Sequence, residues 1–319
     1  MQKFLEEEPI MMKSIRYTNA ILAAVLATMA ITATHLKGQA GKQDFSKVVI
    51  KATKLSGNFH TLEGQGGTIG VLSGPDGVFM VDTQYADLTE RIVAAIKQIT
   101  PNPIRFAVNT HLHGDHSGGN ENLAKLGVFI ISRDELREGL AHPAPTAQGA
   151  PGTPAPSMAL PKVTYQGKMT LHMNGEEIQL IAIPAAHTSG DTLIRFVNND
   201  ILMTGDYYRA VGYPFVDRAN GGSLTGIVNG LGYTIGMAGP NTKIIPGHGP
   251  TVDRAAVTAH RDMLLAVRDK VAPMVKQGKT LQEVIAAKPT AEFDSKVTDG
   301  ATSSERFLTW LYAELKAAM

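Results

Sequence analysis

Three histidines and one aspartate lie within the six-residue stretch "HLHGDH". His111 and His113 are two residues apart, so in extended or loop backbone both rings project to the same side and reach one ion. Asp115 and His116 follow, but one short loop does not easily give four ligands to one tetrahedral metal. Because crowded imidazoles are costly to desolvate without a compensating ion, the stretch predicts a metal centre. This geometry favours two ions, with two of the four side chains on each.

Residues beyond this stretch must complete such a centre. Three candidates each follow an apolar strand pattern and have a glycine nearby, which permits close approach of the backbone. They are His187 in "IPAAHTSGD", Asp206 in "LMTGDYY" and His248 in "IIPGHGP". The chain has 10 histidines, and the remaining ones are interpreted as surface or structural residues: His35, His60, His142, His172 and His260.

The first half of the chain contains the elements that must position the cluster. Residues 46–81 alternate β-rich runs with turn signals, among them "GPDG", which predicts a hairpin turn with a positive φ at Gly77. The apolar spacing predicts a helix over 87–99 with Asp87 as its N-cap. "PNPIRFAVNT" then predicts a breaker and a buried strand. The cluster follows the carboxyl end of that strand, where α/β proteins commonly place their chemistry.

The second half repeats this pattern. Strands are predicted at "VFIISR", "KMTLHM", "EEIQLIAI", "DTLIRFV", "DILMTGD" and "TKIIPGHG". After Pro250 the apolar spacing predicts helices, and Thr302 followed by Glu305 predicts a capping box on the last one. Residues 142–161 are rich in Pro, Ala and Gly, which predicts a long loop that is either a flap over the site or a mobile connection.

The amino-acid composition limits which classes of partner the chain is expected to bind. The sequence has 319 residues, of which 43% are hydrophobic, and this suits one large α/β domain or two small ones. The formal net charge is +1 with acids and bases interspersed, which argues against nucleic acid or a membrane surface as a partner and favours a small-molecule substrate. Because there is no cysteine, the fold is held without disulfides and any metal is bound without thiolates.

The N-terminus differs from the rest of the chain. After Lys13 and Arg16 comes the apolar run "NAILAAVLATMAITAT", too short to span a bilayer comfortably, and then "HLKGQA" with small residues. This layout predicts a secretory signal peptide over residues 1–40, with Met11 and Met12 as alternative starts. The mature protein is then expected to be periplasmic or secreted, without stable membrane association. An uncleaved anchor helix or a buried N-terminal helix is the alternative.

In order and approximate spacing, "HLHGDH", "AAHTSGD", "TGDYY" and "PGHG" resemble the metallo-β-lactamase-fold hydrolase superfamily. The resemblance includes "VDTQ", whose Asp82 matches the structural aspartate beneath the metal loop of that family. It implies an α/β protein with the four-layer αβ/βα sandwich of the metallo-β-lactamase fold. Residues 41–319 would form this single domain, with helices at its C-terminal end.

The resemblance also implies two zinc ions per chain, one on three histidines, the other on an aspartate and two histidines, with a second aspartate between them. The first set is His111, His113 and His187, the second is Asp115, His116 and His248, and the bridging residue is Asp206. Histidine-rich ligation favours zinc by ligand type, with iron and manganese as alternatives. A hydroxide shared by the two ions is the implied nucleophile, and Asp115 has a second role in orienting it and carrying its proton to the leaving group.

The function implied by the resemblance is an exported zinc hydrolase acting on a carbonyl substrate, which is an ester, thioester, lactone or amide. Asp206 is similar to the ligand of glyoxalase II-like and lactonase-like members, whereas β-lactamases of this fold typically have Cys or Ser there. β-Lactam hydrolysis is therefore an alternative. A mononuclear iron enzyme similar to the persulfide dioxygenases of this fold is another, and a non-enzymatic metal-binding protein is a third.

Aromatic residues directly after Asp206 are predicted substrate contacts. The stretch "DYYRAVGYPF" contains Tyr207, Tyr208, Tyr213 and Phe215, and a tyrosine hydroxyl there is suited to stabilising an oxyanion. Packing in the core or in a loop is the alternative for each of these rings.

Overall fold

The computed structural model describes residues 43–145, 149–297 and 304–319. The chain divides into two compact units, Met1–Ser46 and Lys47–Met319. In the first unit the backbone N–H of Ser46 donates a hydrogen bond to the Asp44 carboxylate. The predicted signal peptide lies outside the described residues. Within the described part of the chain, no helix is long and apolar enough to cross a membrane.

The strands described in the second unit form two sheets. The first sheet has seven strands in chain order: β1 (Lys51–Ser56), β2 (Phe59–Glu63), β3 (Ile69–Gly74), β4 (Gly77–Val81), β5 (Ile104–Val108), β6 (Phe129–Arg133) and β7 (Val163–Tyr165). The second has five: β8 (Lys168–Met173), β9 (Glu176–Ile183), β10 (Asp191–Phe196), β11 (Ile201–Gly205) and β12 (Lys243–Pro246). The first four strands pair antiparallel, whereas β4 to β7 are parallel. In the second sheet β11 and β12 are the parallel pair.

Helices connect and cover these strands. They are α1 (Thr89–Ile99), α2 (Gly114–Ser117), α3 (Asn120–Lys125), α4 (Asp134–Ala141), α5 (Leu224–Met237), α6 (Arg254–Lys276), α7 (Leu281–Ala286), α8 (Ala291–Asp294) and α9 (Ser304–Ala317). Single 3-10 turns occur at Ala86–Leu88 and Arg218–Asn220. The strands and C-terminal helices predicted from apolar spacing are thus present, with ends that differ by a residue or two.

The inner faces of the two sheets pack against each other. Phe59 and Phe79 of the first sheet meet Phe196 of the second, with ring centroids 4.7 and 6.1 Å apart and edge-on geometry. Along β4, Phe79 joins this inter-sheet core, while Val78 and Met80 point to the opposite face and are equally buried. Since both faces of β4 are buried, the first sheet is also covered on its outer side.

A second core lies on the outer face of the second sheet. Leu193 and Leu202 from its strands are buried together with Leu231 of α5, Leu264 of α6 and Leu311 of α9. The layers therefore run helix, sheet, sheet, helix, and the predicted four-layer sandwich is confirmed.

Local predictions have mixed outcomes. The "GPDG" hairpin turn is confirmed, since Gly74 pairs with Gly77 and Gly77 has φ of +103°. The prediction that Asp87 caps the next helix is wrong, because a 3-10 turn occupies residues 86–88 and α1 begins at Thr89. The Thr89 hydroxyl donates to the Ala86 carbonyl and stabilises that turn. Thr302, predicted to cap the last helix, lies outside the described residues.

Candidate metal centre

The structure brings all seven predicted metal-binding residues together. Their ligand atoms form three overlapping groups, in each of which the atoms lie within 4.8 Å of one another: His111 with His113 and His187, His111 with His116 and Asp206, and Asp115 with His116 and His248. Each residue follows the end of a strand: the "HLHGDH" stretch follows β5, while the other three follow β9, β11 and β12. Strand ends of both sheets therefore supply one site.

The backbone of the "HLHGDH" stretch separates its side chains into two directions. His113 has extended backbone, with φ of −63° and ψ of 148°, and serves as the N-cap of the one-turn helix α2. The backbone N–H groups of His116 and Ser117 both donate to the His113 carbonyl at 2.9 Å. His111 and His113 thus precede the helical turn, while Asp115 and His116 lie on it.

The first group consists of three histidines whose free ring nitrogens converge. His113 Nδ1 and His187 Nε2 are 2.9 Å apart. The rings of His111 and His187 are edge-on with centroids 4.6 Å apart. His111 and His187 are fully buried, whereas 22% of the His113 side chain is exposed. Three imidazoles in this arrangement form one face of a tetrahedral metal site.

The other nitrogen of each of these rings is held by a neighbour. Nδ1 of His111 lies 3.1 Å from the Thr110 hydroxyl, and Nδ1 of His187 donates to the Phe215 carbonyl at 2.7 Å. Nε2 of the third ring, His113, lies 2.7 Å from the carboxylate of Asp217. Such partners set the tautomer and the ring orientation of a ligand, so each histidine presents the nitrogen that faces its group.

The second group lies beside the first. Nε2 of His248 is 3.2 Å from Oδ2 of Asp115 and 3.4 Å from Nε2 of His116. About a fifth of the Asp115 and His248 side chains is exposed, 22% and 20%, so this group borders solvent. His116 is fully buried, and its Nδ1 lies 2.7 Å from the Asp82 carboxylate.

Asp206 lies between the two groups. Its Oδ1 is 3.2 Å from Nε2 of His116, and its Oδ2 is 3.3 Å from Nε2 of His248 and 4.0 Å from Nε2 of His187. On the outer side, Nη1 of Arg209 lies 3.6 Å from Oδ2. One carboxylate thus contacts histidines of both groups, as a bridging ligand requires.

The unpartnered atoms at the centre fit a cation. Among the described residues, Nε2 of His111 and Oδ1 of Asp206 are buried and form no hydrogen bond. An unsatisfied buried polar atom costs about 1–3 kcal/mol, so two that lie in one group indicate that something else completes them. Neutral imidazole nitrogens and carboxylate oxygens are ligands that Zn²⁺ prefers, and the residues present therefore fit a zinc site.

The electrostatics favour the neutral ring at two histidines of the first group, His111 and His187. Burial lowers the pKa of His111 well below its usual value, and the neighbouring imidazoles lower it further. Burial likewise lowers the pKa of His187 to about 4. Neutral imidazole is the form that binds a metal.

The second group carries charge. Burial opposes ionisation of Asp206, but the imidazoles of His116 and His248 outweigh it and hold the pKa of Asp206 well below its usual value. Burial is also outweighed at His248, where the carboxylates of Asp115 and Asp206 raise the pKa to about 9. The carboxylates therefore require positive charge close by, and metal ions compete with protons for this position.

Asp82, identified by resemblance as the structural aspartate, supports the metal loop. Its Oδ1 accepts a hydrogen bond from the Thr110 N–H at 2.7 Å, and its Oδ2 accepts one from the Thr110 hydroxyl at 2.8 Å. Oδ2 also contacts Nδ1 of His116. Asp82 has φ of +62°, a left-handed conformation that costs about 1–3 kcal/mol outside glycine and that the surrounding contacts must offset.

Two glycines make room for the ligands: Gly247 is the glycine noted in the sequence beside His248, whereas Gly67 was missed by the sequence analysis. A Cβ on Gly67 would lie 2.1 Å from Cε1 of His116, and one on Gly247 would lie 1.9 Å from Oδ1 of Asp206. The run of glycines in "GQGGT" is the signal that marks the first of these positions. Asp217 was missed as well, and its polar loop sequence carries no comparable signal.

The tyrosines predicted as substrate contacts lie in the hydrophobic core instead. These residues, Tyr207, Tyr208 and Tyr213, are exposed by 3% or less. The hydroxyl of the first shares a hydrogen bond with the Thr234 hydroxyl at 2.8 Å, and that of the third donates to Asp294 at 2.6 Å. The ring of the second packs edge-on against His260. Both hydroxyl partners belong to the helical layer, so the hydroxyls of Tyr207 and Tyr213 form their hydrogen bonds outside the metal groups.

Phe215, the fourth aromatic residue of that stretch, does lie at the centre. Its ring centroid is 5.7 Å from that of His113 and 5.4 Å from that of His187. Phe215 is partly exposed, unlike the three tyrosines. Its carbonyl and its ring therefore both contact the first group of histidines.

A cavity of about 630 Å³ lies beside the metal loop. Leu112 of the loop and Ser189, two residues after His187, line one side of it. The carboxylates of α4 line the other side: Asp134, Glu135 and Glu138. His142 and Ala144 also line it, so the first residues of the long loop predicted over 142–161 border this cavity.

Comparison with known families gives one match. The model described as the metallo-beta-lactamase superfamily matches residues 62–230. This range contains six of the seven candidate ligands, and His248 lies beyond it. The uncharacterized protein YobT of Bacillus subtilis (strain 168) is 30% identical over 141 residues, which are 42% of this chain and 59% of that relative. The chain therefore spans less than two thirds of the length of that curated relative.

Solved structures of other proteins share the fold. A metallo-beta-lactamase from Pontibacter korlensis has a TM-score of 0.55 at 21% identity, covering 68% of this chain and 99% of that chain. The stereoselective inverting sec-alkylsulfatase Pisa1 from Pseudomonas sp. has a TM-score of 0.64 at 17% identity, covering 83% of this chain and 50% of that chain. The present chain thus spans about half the length of the sulfatase. At these identities the likeness concerns the fold alone.

Proposed function

The chain belongs to the metallo-β-lactamase superfamily, and from this premise we propose that it is a hydrolase with two zinc ions at the centre described above. The observation that carries the proposal is the pair of ligand groups that meet at Asp206. One group offers three imidazoles and the other offers a carboxylate with two imidazoles, so each suits a zinc ion. Oδ2 of Asp206 lies 4.0 Å from His187 of the first group and 3.3 Å from His248 of the second, which supports a binuclear site over a mononuclear one.

The residues of the centre have distinct chemical roles in this proposal. Bound zinc would supply Lewis acidity for the oxygen under attack and lower the pKa of water towards neutrality. Asp115 borders solvent and contacts His248 at 3.2 Å, so it is placed to hold a water molecule and to accept its proton. The same carboxyl then delivers that proton to the leaving group as the scissile bond breaks. Its lowered pKa, caused by His248 and His116 against the effect of burial, keeps Asp115 ionised and ready to accept.

We infer a carbonyl substrate, which is an ester, thioester, lactone or amide. The inference is supported by the carboxylate at position 206, which is similar to the bridging ligand of general hydrolases of this superfamily. β-Lactams are the less favoured carbonyl substrate for the same reason. One structural neighbour is a sec-alkylsulfatase, so a secondary alkyl sulfate is a useful comparison substrate.

The decisive experiment combines a substrate panel with metal analysis. Purified protein is assayed on a lactone, a thioester, an ester, a β-lactam and a secondary alkyl sulfate, before and after a chelator and after zinc is restored. The proposal predicts carbonyl turnover that the chelator abolishes and zinc restores, with about two zinc ions per chain. One iron per chain with oxygen-dependent activity would instead support a mononuclear dioxygenase. Absence of chelator-sensitive turnover on every substrate would refute the hydrolase.

We further propose that the protein is exported and acts in the periplasm or outside the cell. The support is the sequence of residues 1–40, where basic residues precede an apolar run and small residues follow it. N-terminal sequencing of the protein recovered from the periplasmic fraction tests this proposal. A mature chain that begins close to residue 41 would support it, whereas an intact N-terminus in the cytoplasmic fraction would refute it.

A further inference from the structure

A row of aromatic rings extends from the metal centre towards the C-terminal helices. Phe215 lies against His113 and His187, as described above, and its other side meets the indole of Trp310. The centroids of these last two rings are 5.0 Å apart with edge-on geometry. A continuous aromatic surface therefore begins at two candidate zinc ligands and ends on α9.

Both ends of this surface are held in place. The Phe215 carbonyl accepts a hydrogen bond from Nδ1 of His187, which ties the residue to the metal centre. On α9, Phe307 and Leu311 are buried in the core on either side of Trp310. Glu314, one turn further along α9, accepts hydrogen bonds from two backbone N–H groups at the beginning of α5. The indole is therefore positioned by packing and not by a free loop.

The two rings differ from the three tyrosines that follow Asp206 in being partly exposed. Phe215 and Trp310 are intermediate in exposure, whereas the three tyrosines that follow Asp206 are buried and pack in the core. Burying apolar surface that is otherwise in water stabilises a complex by about 25 cal/mol per Å². Partly exposed rings beside a reactive centre are thus suited to bind an apolar ligand.

We propose that Phe215 and Trp310 form an apolar subsite that binds the alkyl or aryl part of the substrate while its carbonyl lies at the metal centre. This inference rests on the proposed function and adds the substrate class, a carbonyl compound with a hydrophobic chain or ring. Through Trp310, the C-terminal helix α9 would then contribute to substrate specificity.

The chain offers a direct probe of this subsite, because it contains 1 tryptophan and that residue is Trp310. Zinc-loaded protein is titrated with hexanoate, octanoate and decanoate while tryptophan fluorescence is followed. The carboxylate is common to all three ligands, so any dependence of affinity on chain length measures the contribution of the alkyl tail to binding. The proposal predicts that binding tightens roughly fourfold for each added methylene and that the fluorescence changes on binding.

Two variants distinguish binding of the ligand tail at Phe215 from nonspecific binding to any exposed apolar side chain. Phe215→Ala keeps the backbone carbonyl that holds His187 and should abolish most of the chain-length dependence. Phe129→Ala is the matched control, because Phe129 is 52% exposed at the beginning of β6 and contacts Phe106 instead of the site. In this control the chain-length dependence should equal that of the unmodified protein. Equal behaviour of the two variants would overturn the proposal.

Kinetics test Trp310, whose replacement removes the fluorescent probe. The ratio of kcat/KM for p-nitrophenyl octanoate to that for the acetate should fall about tenfold in Trp310→Ala and less in Trp310→Phe, which keeps a ring. Circular dichroism checks that α9 still folds. Turnover without dependence on chain length would overturn the subsite and leave the hydrolase standing. Chain-length-dependent binding without turnover of any carbonyl substrate would support the subsite and refute the proposed function.

Discussion

At the scale of single residues, the centre is organised by what lies behind each ligand. A hydroxyl, a carboxylate and a backbone carbonyl hold the three histidines of the first group, and Asp82 holds His116. Each contact occupies one ring nitrogen and leaves the other to face the metal group. The chemistry therefore depends on the residues behind the ligands as well as on the ligands themselves.

Replacing Asp217 by Asn should weaken zinc binding about 10–100-fold, because the charge that orients His113 is lost while the shape is kept. Competition with a zinc-binding dye measures the affinity. Asp262→Asn is the control, since that carboxylate is 58% exposed on α6 and pairs with a neighbouring arginine. If both variants bound zinc as tightly as the unmodified protein, Asp217 would have no role in positioning.

Replacing Asp115 by Asn should lower kcat about 100- to 10,000-fold with little change in melting temperature, because the amide cannot accept the proton. Zinc content separates the two roles of this residue. Loss of turnover with both ions retained indicates proton transfer, and loss of one ion indicates ligation. An unchanged kcat would contradict both roles of Asp115, proton transfer and metal ligation.

Gly67 and Gly114 form a matched pair near His116. A Cβ on Gly67 would lie between 2.1 and 2.6 Å from three atoms of the His116 ring, whereas a Cβ on Gly114 would meet nothing within 4 Å. Gly67→Ala should therefore displace the ring and lose the second zinc, while Gly114→Ala should keep both ions. Equilibrium dialysis followed by elemental analysis gives the zinc content. Equal content in the two variants would show that His116 tolerates the added methyl group.

The sequence predicts the ligands well and their supports poorly, for a physical reason. Four candidate ligands fall within six residues and the other three share a local context, an apolar strand followed by a turn with glycine. Asp217 acts on His113 across 104 residues of sequence, and Phe215 on His187 across 28. Nothing in the neighbourhood of Asp217 marks it, and Phe215 was noted only as an aromatic residue after Asp206, so both contacts with the histidines become visible only in the fold. The buried tyrosines show the converse, because proximity to Asp206 in sequence did not place them at the centre.

At the scale of elements, strands are predicted more reliably than helix ends. Strands of this fold are runs of buried apolar residues, which the sequence displays directly. The beginning of α1 depends instead on competition between a 3-10 turn and an α-helical cap over two or three residues. Such small differences in local hydrogen bonding are not visible in apolar spacing. The hairpin between β3 and β4 was predictable because it depends on a glycine at one position.

The hairpin glycine gives a prediction about stability. A Cβ at Gly77, where φ is +103°, would lie 2.6 Å from Cγ of Arg105 and 2.8 Å from the Pro103 carbonyl. Gly127 also has a positive φ, +85°, but a Cβ there meets nothing within 4 Å. Gly77→Ala should therefore destabilise the protein by about 2–4 kcal/mol and Gly127→Ala by about 1 kcal/mol. Urea unfolding measures the loss of stability in each variant. Equal losses would mean that the contacts around Gly77 relax without cost.

At the scale of the whole molecule, the helical layer on the second sheet is connected to the metal centre through one loop. Residues 207–217 supply tyrosines to the core, Phe215 to the histidines and Asp217 to His113. Tyr208 of this loop also packs against His260 of α6, with ring centroids 5.2 Å apart. Conditions that disturb the packing of α6 should therefore lower the free energy of unfolding of the whole protein.

His260 makes this packing sensitive to acid. Burial lowers its pKa to about 4 from the usual 6.5, and its buried Nε2 has no hydrogen-bond partner among the described residues. Between pH 4 and pH 6.5 the His260 ring is therefore neutral in the folded chain and protonated in the unfolded chain. The stability due to the neutral ring is fully present above pH 6.5 and is lost as the pH falls towards 4.

Replacing His260 by Gln removes this titration, so the unfolding free energy of the variant should fall less than that of the unmodified protein between pH 6.5 and pH 4. The difference should amount to about 1–3 kcal/mol. Urea unfolding at several pH values measures it, and protonation of the metal ligands cancels because both proteins share it. His172→Gln, at an exposed position of β8, should show the same acid loss as the unmodified protein. If His260→Gln lost as much stability in acid as His172→Gln does, acid sensitivity would arise elsewhere, and the seven candidate metal ligands would be the place to test next.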